Sequence, residues 1–150
     1  MKIFVSTPIT GFDDSKIYEE FRDSISRFIG CLDDMFGSEN VYAAIKKISN
    51  INSYESPMES AIQDLNGIEE TDIFLLIYPQ KLASSALIEL GYAFALQKLI
   101  YVFANREDDL PYMLHGIMEC FSDKVKKYIG DWDNCCDYFI NDLKSNRSQK

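Results

Sequence analysis

Two apolar runs that do not alternate constrain this chain most. They are Ile73 to Tyr78 and Leu99 to Phe103, and between them Leu87, Leu90, Ala93, Phe94 and Leu96 recur at helical spacing. A strand with one wet face alternates apolar and polar residues. A strand buried on both faces does not, and that is the condition of the inner strands of a parallel sheet covered by helices. Two such strands joined through a helix form a crossover unit, so the rest of the chain must supply further strands and helices on both sides of the sheet.

The flanking sequence does so. Ile3 to Ser6 reads as a first strand, followed by the loop Thr7-Pro8-Ile9-Thr10-Gly11-Phe12, in which Pro8 and Gly11 break regular structure. A helix is expected from about Asp14 to Met35, with Ile17, Phe21, Ile25, Phe28, Ile29 and Leu32 on its inward face and Gly37 ending it. Asn40 to Ile45 is a candidate second strand, and Lys46 to Tyr54 a polar loop placed to lie across a pocket. Ser56 at the N-cap, Pro57 at the first helical position and Glu59 in the first turn start a second helix, expected to run to about Asn66-Gly67. Asp64 then falls in the last turn, the end at which the helix dipole does not favour a carboxylate.

After the fourth strand come an acidic loop, Asn105 to Asp109, and a short helix or turn over Leu110 to Gly116. Lys124 to Ile129 reads as an edge strand, Trp132 to Leu143 as a final amphipathic helix, and Lys144 to Lys150 as a fraying polar tail. The pattern predicts an α/β fold, a single-domain flavodoxin-like three-layer sandwich with a five-stranded parallel sheet in the order 2-1-3-4-5. The domain is expected over residues 1–143 and the tail over 144–150.

Function is narrowed first by what is missing. The 150 residues carry a formal charge of −9, and the basic residues form no patch beyond Lys124, Lys126 and Lys127, so nucleic acid is not an expected partner. No apolar segment is long enough to span a membrane, and the first strand follows the initial Met directly; a cytoplasmic protein is expected. Four cysteines (Cys31, Cys120, Cys135, Cys136) and one histidine (His115) show no paired metal-ligand spacing, so no metal and no cofactor are expected. Cys135 and Cys136 read as reduced, partly buried thiols. No dinucleotide, triphosphate or serine-hydrolase motif is present, and Ser84 or Ser85 would lack a base.

What remains is a carboxylate. With the predicted strand order, the topological switch point lies between the first and third strands. That is where open α/β sheets bind ligands. It gathers the Ser6 to Phe12 loop, Asp64, the Pro79 to Ser85 loop and Glu89, which sits at the start of the helix that leaves the third strand. Gly91 inside that helix costs about 1 kcal/mol relative to Ala, which points to close packing there. Two carboxylates with hydroxyls around them suit cleavage at an anomeric carbon, one attacking and the other protonating the leaving group.

These residues carry a resemblance. Asp64-Leu65-Asn66-Gly67-Ile68, Thr71-Asp72-Ile73 and Glu89-Leu90-Gly91-Tyr92-Ala93 resemble the nucleoside 2-deoxyribosyltransferase family. Together with the loop Ser6-Thr7-Pro8-Ile9-Thr10-Gly11, the Glu-Leu-Gly segment also resembles the 2'-deoxynucleoside 5'-phosphate N-hydrolases. The resemblance covers about residues 56 to 118. It implies that Glu89 is a nucleophile toward the C1' of a sugar and that Asp64 is an acid beside the base, with hydrolysis or transfer following. It also implies that Ser6, Thr7 and Gly11 contact sugar or phosphate.

Pro8, Thr10, Phe12, Ser84, Ser85, Tyr112 and Met113 complete the candidate substrate-binding set. Tyr112 and Met113 lie in the region that reaches a neighbouring subunit in the resembled families, so a homodimer or higher homo-oligomer is expected. Two positions depart from the transferases, where Ala83 stands in place of a second base-contacting Asp and Pro111 in place of an Asn lent between subunits. Both departures favour a nucleotide over a free nucleoside, with the hydroxyls of Ser6, Thr7, Thr10, Ser84 and Ser85 as donors to its phosphate. A more distant likeness to TIR domains offers an NAD glycohydrolase or cyclase as the alternative, and a non-catalytic nucleotide-binding module is the third class.

Overall fold

The computed structural model describes residues 1–9, 11–46 and 56–147. Thr10, most of the expected polar loop (residues 47–54) and residues 148–150 lie outside the described residues. The sheet has five strands, all parallel, in the order β2-β1-β3-β4-β5. They are β1 (Ile3–Ser6), β2 (Val41–Ala43), β3 (Ile73–Tyr78), β4 (Leu99–Ala104) and β5 (Val125–Ile129). The helices are α1 (Ser15–Phe36), α2 (Pro57–Glu70), α3 (Ala86–Ala95), α4 (Tyr112–Cys120) and α5 (Cys135–Arg147). This is the flavodoxin-like architecture that the two unalternating runs imply.

The two faces of the sheet hold separate cores. Ile3, Val5, Ile73, Leu75, Tyr101 and Phe103 pack against Phe21, Ile25, Phe28, Ile29 and Leu32 of α1 and Phe139 and Leu143 of α5. Phe4, Phe74, Leu76, Tyr78, Ile100 and Val102 pack against Ile68 of α2, Ala86, Leu90 and Ala93 of α3, and Leu114 and Met118 of α4. Every residue of β3 is buried, so the lack of alternation has its expected cause. The start of α2 is also as expected, with a full capping box between Ser56 and Glu59 and Pro57 opening the helix.

Several expectations are corrected. α2 continues to Glu70, which puts Asp64 in mid-helix, where the dipole argument about its last turn does not apply. The helix runs on because Gly67 is not a stop but a contact point: a Cβ there would lie 3.0 Å from Cε2 of Phe4. The close packing expected at Gly91 does not occur, since a Cβ at Gly91 would meet nothing within 4 Å. The second strand is shorter than Asn40 to Ile45, with single 3-10 turns on either side of β2. The last helix reaches Arg147, so residues 144–147 belong to a helix and not to a tail. Of the helical pattern from Trp132, residues Trp132–Asn134 form a 3-10 turn that leads into it.

The cysteine expectation fails in part. Cys136 is bonded to Cys31 in a disulfide that links α5 to α1 across 105 residues of chain. Sequence spacing could not pair them, because only the packing of both helices on one face of the sheet brings them together. Cys135 is a buried free thiol, and burial with the nearby charges of Asp131 and Asp133 pushes it up to about 12, which leaves it inert as a nucleophile.

Candidate active site

Side chains alternate along β1, so Phe4 and Ser6 point to the face that carries α2, α3 and α4. Ser6 is the last residue of the strand, and its hydroxyl projects from the carboxyl edge of the sheet toward the start of α3. There it donates to Oε2 of Glu89 at 2.6 Å. Glu89 lies in the first turn of α3, with the Ser85 hydroxyl near enough to influence its carboxylate. Burial pushes the Glu89 carboxyl up from the usual carboxylate range, against the Ser6 bond; the negative charge of Asp64 adds to the rise and the Ser85 hydroxyl opposes it. A carboxylate kept from water yet supplied with a hydroxyl donor is an oriented and reactive one.

Two loops frame Glu89 and touch each other. Gly11, in the β1–α1 loop, has φ of 95°, a conformation open to Gly and strained for other residues. A Cβ there would meet the carbonyl of Ala83 at 3.5 Å and Leu82 at 3.7 Å. The β3–α3 loop is clamped from beneath by Tyr78, whose hydroxyl donates to the Leu82 carbonyl and accepts from the Leu82 N–H at 3.0 Å. Ser84 Oγ accepts from the Ala86 N–H at 3.2 Å and so supports the opening of α3.

Asp64 faces the same edge from α2. Its Oδ1 accepts from the Tyr42 hydroxyl at 2.7 Å, and it is near enough to Glu89 for its charge to be felt there. Tyr42 comes from the edge strand and was not among the residues expected from sequence; it stands 22 positions ahead of Asp64, and no spacing rule links a strand residue to a helix face at that distance.

The expected set is thus divided. The structure brings Ser6, Ser85 and Asp64 around Glu89 and seats Thr7 and Pro8, both buried, beside them. Thr7 Oγ1 is, among the described residues, a buried side-chain oxygen without a hydrogen-bond partner, the kind of orphan that native interiors seldom keep away from a ligand-binding edge. Phe12 turns away: its ring packs on Tyr18 and Phe21 at 5.3 and 5.5 Å and belongs to the α1 side.

Tyr112 and Met113 are exposed, at 95% and 77%, at the start of α4. Met113 lines an apolar groove of about 200 Å³ between α3 and α4, together with Leu87, Leu90, Gly91, Phe94 and Leu114. No carboxylate lines that groove. Of the expected phosphate donors, Ser6 is engaged, because it serves Glu89. Ser84 keeps its own proton to donate.

No group of three or more His, Cys, Asp or Glu among the described residues is placed to hold a metal ion. No described helix is long and apolar enough to cross a membrane.

The fold is an α/β open sheet of five parallel strands with its switch point between β1 and β3. Among solved structures the chain is similar to the CMP N-glycosidase BcmB of Clostridium botulinum, with a TM-score of 0.67 and 18% sequence identity over 96% of this chain and 99% of that one. At that identity the likeness establishes a common fold over the whole length of both proteins. No family model and no curated protein matches the chain.

Proposed function

We propose that this protein is an N-glycosidase of the nucleoside 2-deoxyribosyltransferase-like superfamily that acts on a nucleoside 5'-monophosphate through Glu89. One observation carries the reading: a carboxylate at the sheet edge, raised by burial, oriented by Ser6 and faced by a second carboxylate. The similar fold of a CMP N-glycosidase supports the same bond class and a nucleotide substrate.

In this mechanism Ser6 holds Oε2 of Glu89, and Oε1 attacks C1' of the sugar. A bond forms between Oε1 and C1' as the bond from C1' to the base nitrogen breaks. The electron pair stays with the nitrogen, which takes a proton from Asp64. Water then attacks C1', releases Glu89 and returns a proton to Asp64. Hydrolysis is preferred to transfer here because Ala83 and Pro111 stand where the transferases hold a nucleoside. The Ser84 hydroxyl and Thr7 offer donors to the phosphate.

A second copy of the chain is proposed to cover the groove between α3 and α4. Ile88, Tyr112 and Met113 project beside it with most of their surface exposed, and a surface with both knobs and a groove is self-complementary, as a two-fold interface requires. A monomeric mass by light scattering at micromolar concentration would remove this part of the reading.

The test of activity is incubation with CMP, the other ribo- and deoxyribonucleoside 5'-monophosphates, free nucleosides and NAD, followed by chromatography for the released base. Base release from monophosphates, absent in Glu89→Gln, is the expected result. Release from free nucleosides alone would overturn the phosphate assignment, and nicotinamide release alone would favour an NAD glycohydrolase.

A further inference from the structure

Asp64 is held by an arrangement that spans three strands and a helix. Tyr42, Phe4 and Phe74 occupy register-matched positions on β2, β1 and β3. Their rings stack as a ladder, Tyr42 on Phe4 at 4.8 Å and 19°, and Phe4 on Phe74 at 5.6 Å and 9°. α2 lies directly on this ladder at Gly67, where a Cβ would come within 3.0 Å of the Phe4 ring and 3.7 Å of the Tyr42 ring. Residues three apart share a helix face, so Asp64 lies one turn back from Gly67 above the same ladder. The absence of a side chain at Gly67 thus lets α2 approach closely enough for the Tyr42 hydroxyl to reach Oδ1 of Asp64.

We propose that Tyr42 is a positioning residue that fixes which oxygen of Asp64 serves the leaving group. With Oδ1 accepting the phenolic proton, Oδ2 is the oxygen that delivers a proton to the departing base nitrogen. Tyr42 keeps its own proton throughout and touches no reacting atom; it acts on the reaction through Asp64. The inference rests on the glycosidase reading above and deepens it, by assigning to the edge strand a part in leaving-group protonation. The same ladder explains why a strand as short as β2 carries an aromatic residue at its centre, since the ring both pairs with Phe4 and aims its hydroxyl.

The test is a double-mutant cycle on the full chain with Tyr42→Phe, Asp64→Asn and the pair, keeping the ring and so the ladder. The substrates are CMP and a p-nitrophenyl riboside 5'-phosphate, whose leaving group departs without a proton. Tyr42→Phe is expected to lower kcat on CMP about 10-fold with KM and thermal midpoint little changed, to spare the nitrophenyl substrate, and to add no loss to Asp64→Asn. Full activity of Tyr42→Phe on CMP, equal losses on both substrates, or a full additional loss in the Asp64→Asn background would overturn the role of Tyr42 while leaving the glycosidase reading intact. Wild-type protein inert on the whole substrate panel would overturn both.

Discussion

The two faces of the sheet share the same strands and are built for different purposes. On the α1 and α5 side an aromatic group, Phe28, Tyr101, Phe103, Tyr138 and Phe139, packs within a mainly aliphatic core. A buried phenol there, Tyr101, is paired with Asp142 at 2.6 Å and held protonated by burial. A disulfide closes that side. On the α2, α3 and α4 side the core is mostly aliphatic, and its polar groups are gathered at the carboxyl edge of the sheet: Ser6, Thr7, Asp64, Ser85 and Glu89. One face holds its polar groups in closed pairs. The other keeps a desolvated carboxylate and a hydroxyl without a partner, which is what a site pays for with stability drawn from elsewhere.

The comparison is broken most directly at Glu89. Glu89→Gln should lower glycosidase activity by about 10³-fold or more if the nucleophile is lost, and it should at the same time make the protein more stable at neutral pH. The sign follows from linkage: the folded-state value is raised, so the protonated carboxyl favours the fold. That favour is present below the unfolded value, about 4.3, and is lost as pH rises through the folded value. The gain in thermal midpoint over wild type should therefore be seen at pH 7 and shrink toward zero in acid. A Gln variant less stable than wild type at pH 7 would mean that the site carries no such cost.

The opposite face should answer in the opposite way. Replacing Cys31 and Cys136 together with Ser should cost about 2–4 kcal/mol in denaturant unfolding, since the bond closes a loop of 105 residues, and it should leave kcat unchanged. Loss of activity equal to that of the site variants would show that the faces are coupled. In the oxidised, denatured protein, thiol titration should find only Cys120 and Cys135 free. The cytoplasmic residence expected from the sequence is tested by the same titration on protein taken from cells, because most cytosols keep such bonds reduced.

Ser6→Ala gives a smaller and sharper test. It removes a donor that holds the Glu89 carboxyl down, so the acid limb of the activity profile should move to higher pH, with about a 10-fold loss at the optimum. An unmoved limb would separate the Ser6 bond from catalysis. Gly91→Ala is the mildest: the added Cβ meets nothing, so it should stabilise α3 by up to about 1 kcal/mol without touching activity.

Much of this was written in the chain. Unbroken apolar runs in β3 and β4 imply strands covered on both faces, and helical spacing between them implies the crossover; joined to the general rules for such units, these give the strand order and the edge at which Glu89 sits. Ser56, Pro57 and Glu59 mark the start of α2 because capping is a contact within one turn. What failed depended on contacts between distant segments. Gly67 looks like a helix stop and is a packing contact with Phe4; Gly91 looks like a packing contact and faces open space. Cys31 and Cys136, and Tyr42 and Asp64, become neighbours only when helices settle on the sheet. The sequence by itself determined the layers and the place of the carboxylate, because both arise from periodicity along the chain. Which hydroxyl orients Glu89, which ring aims Asp64 and which cysteines pair were decided by tertiary structure, because those depend on distances across the sheet that no local spacing encodes.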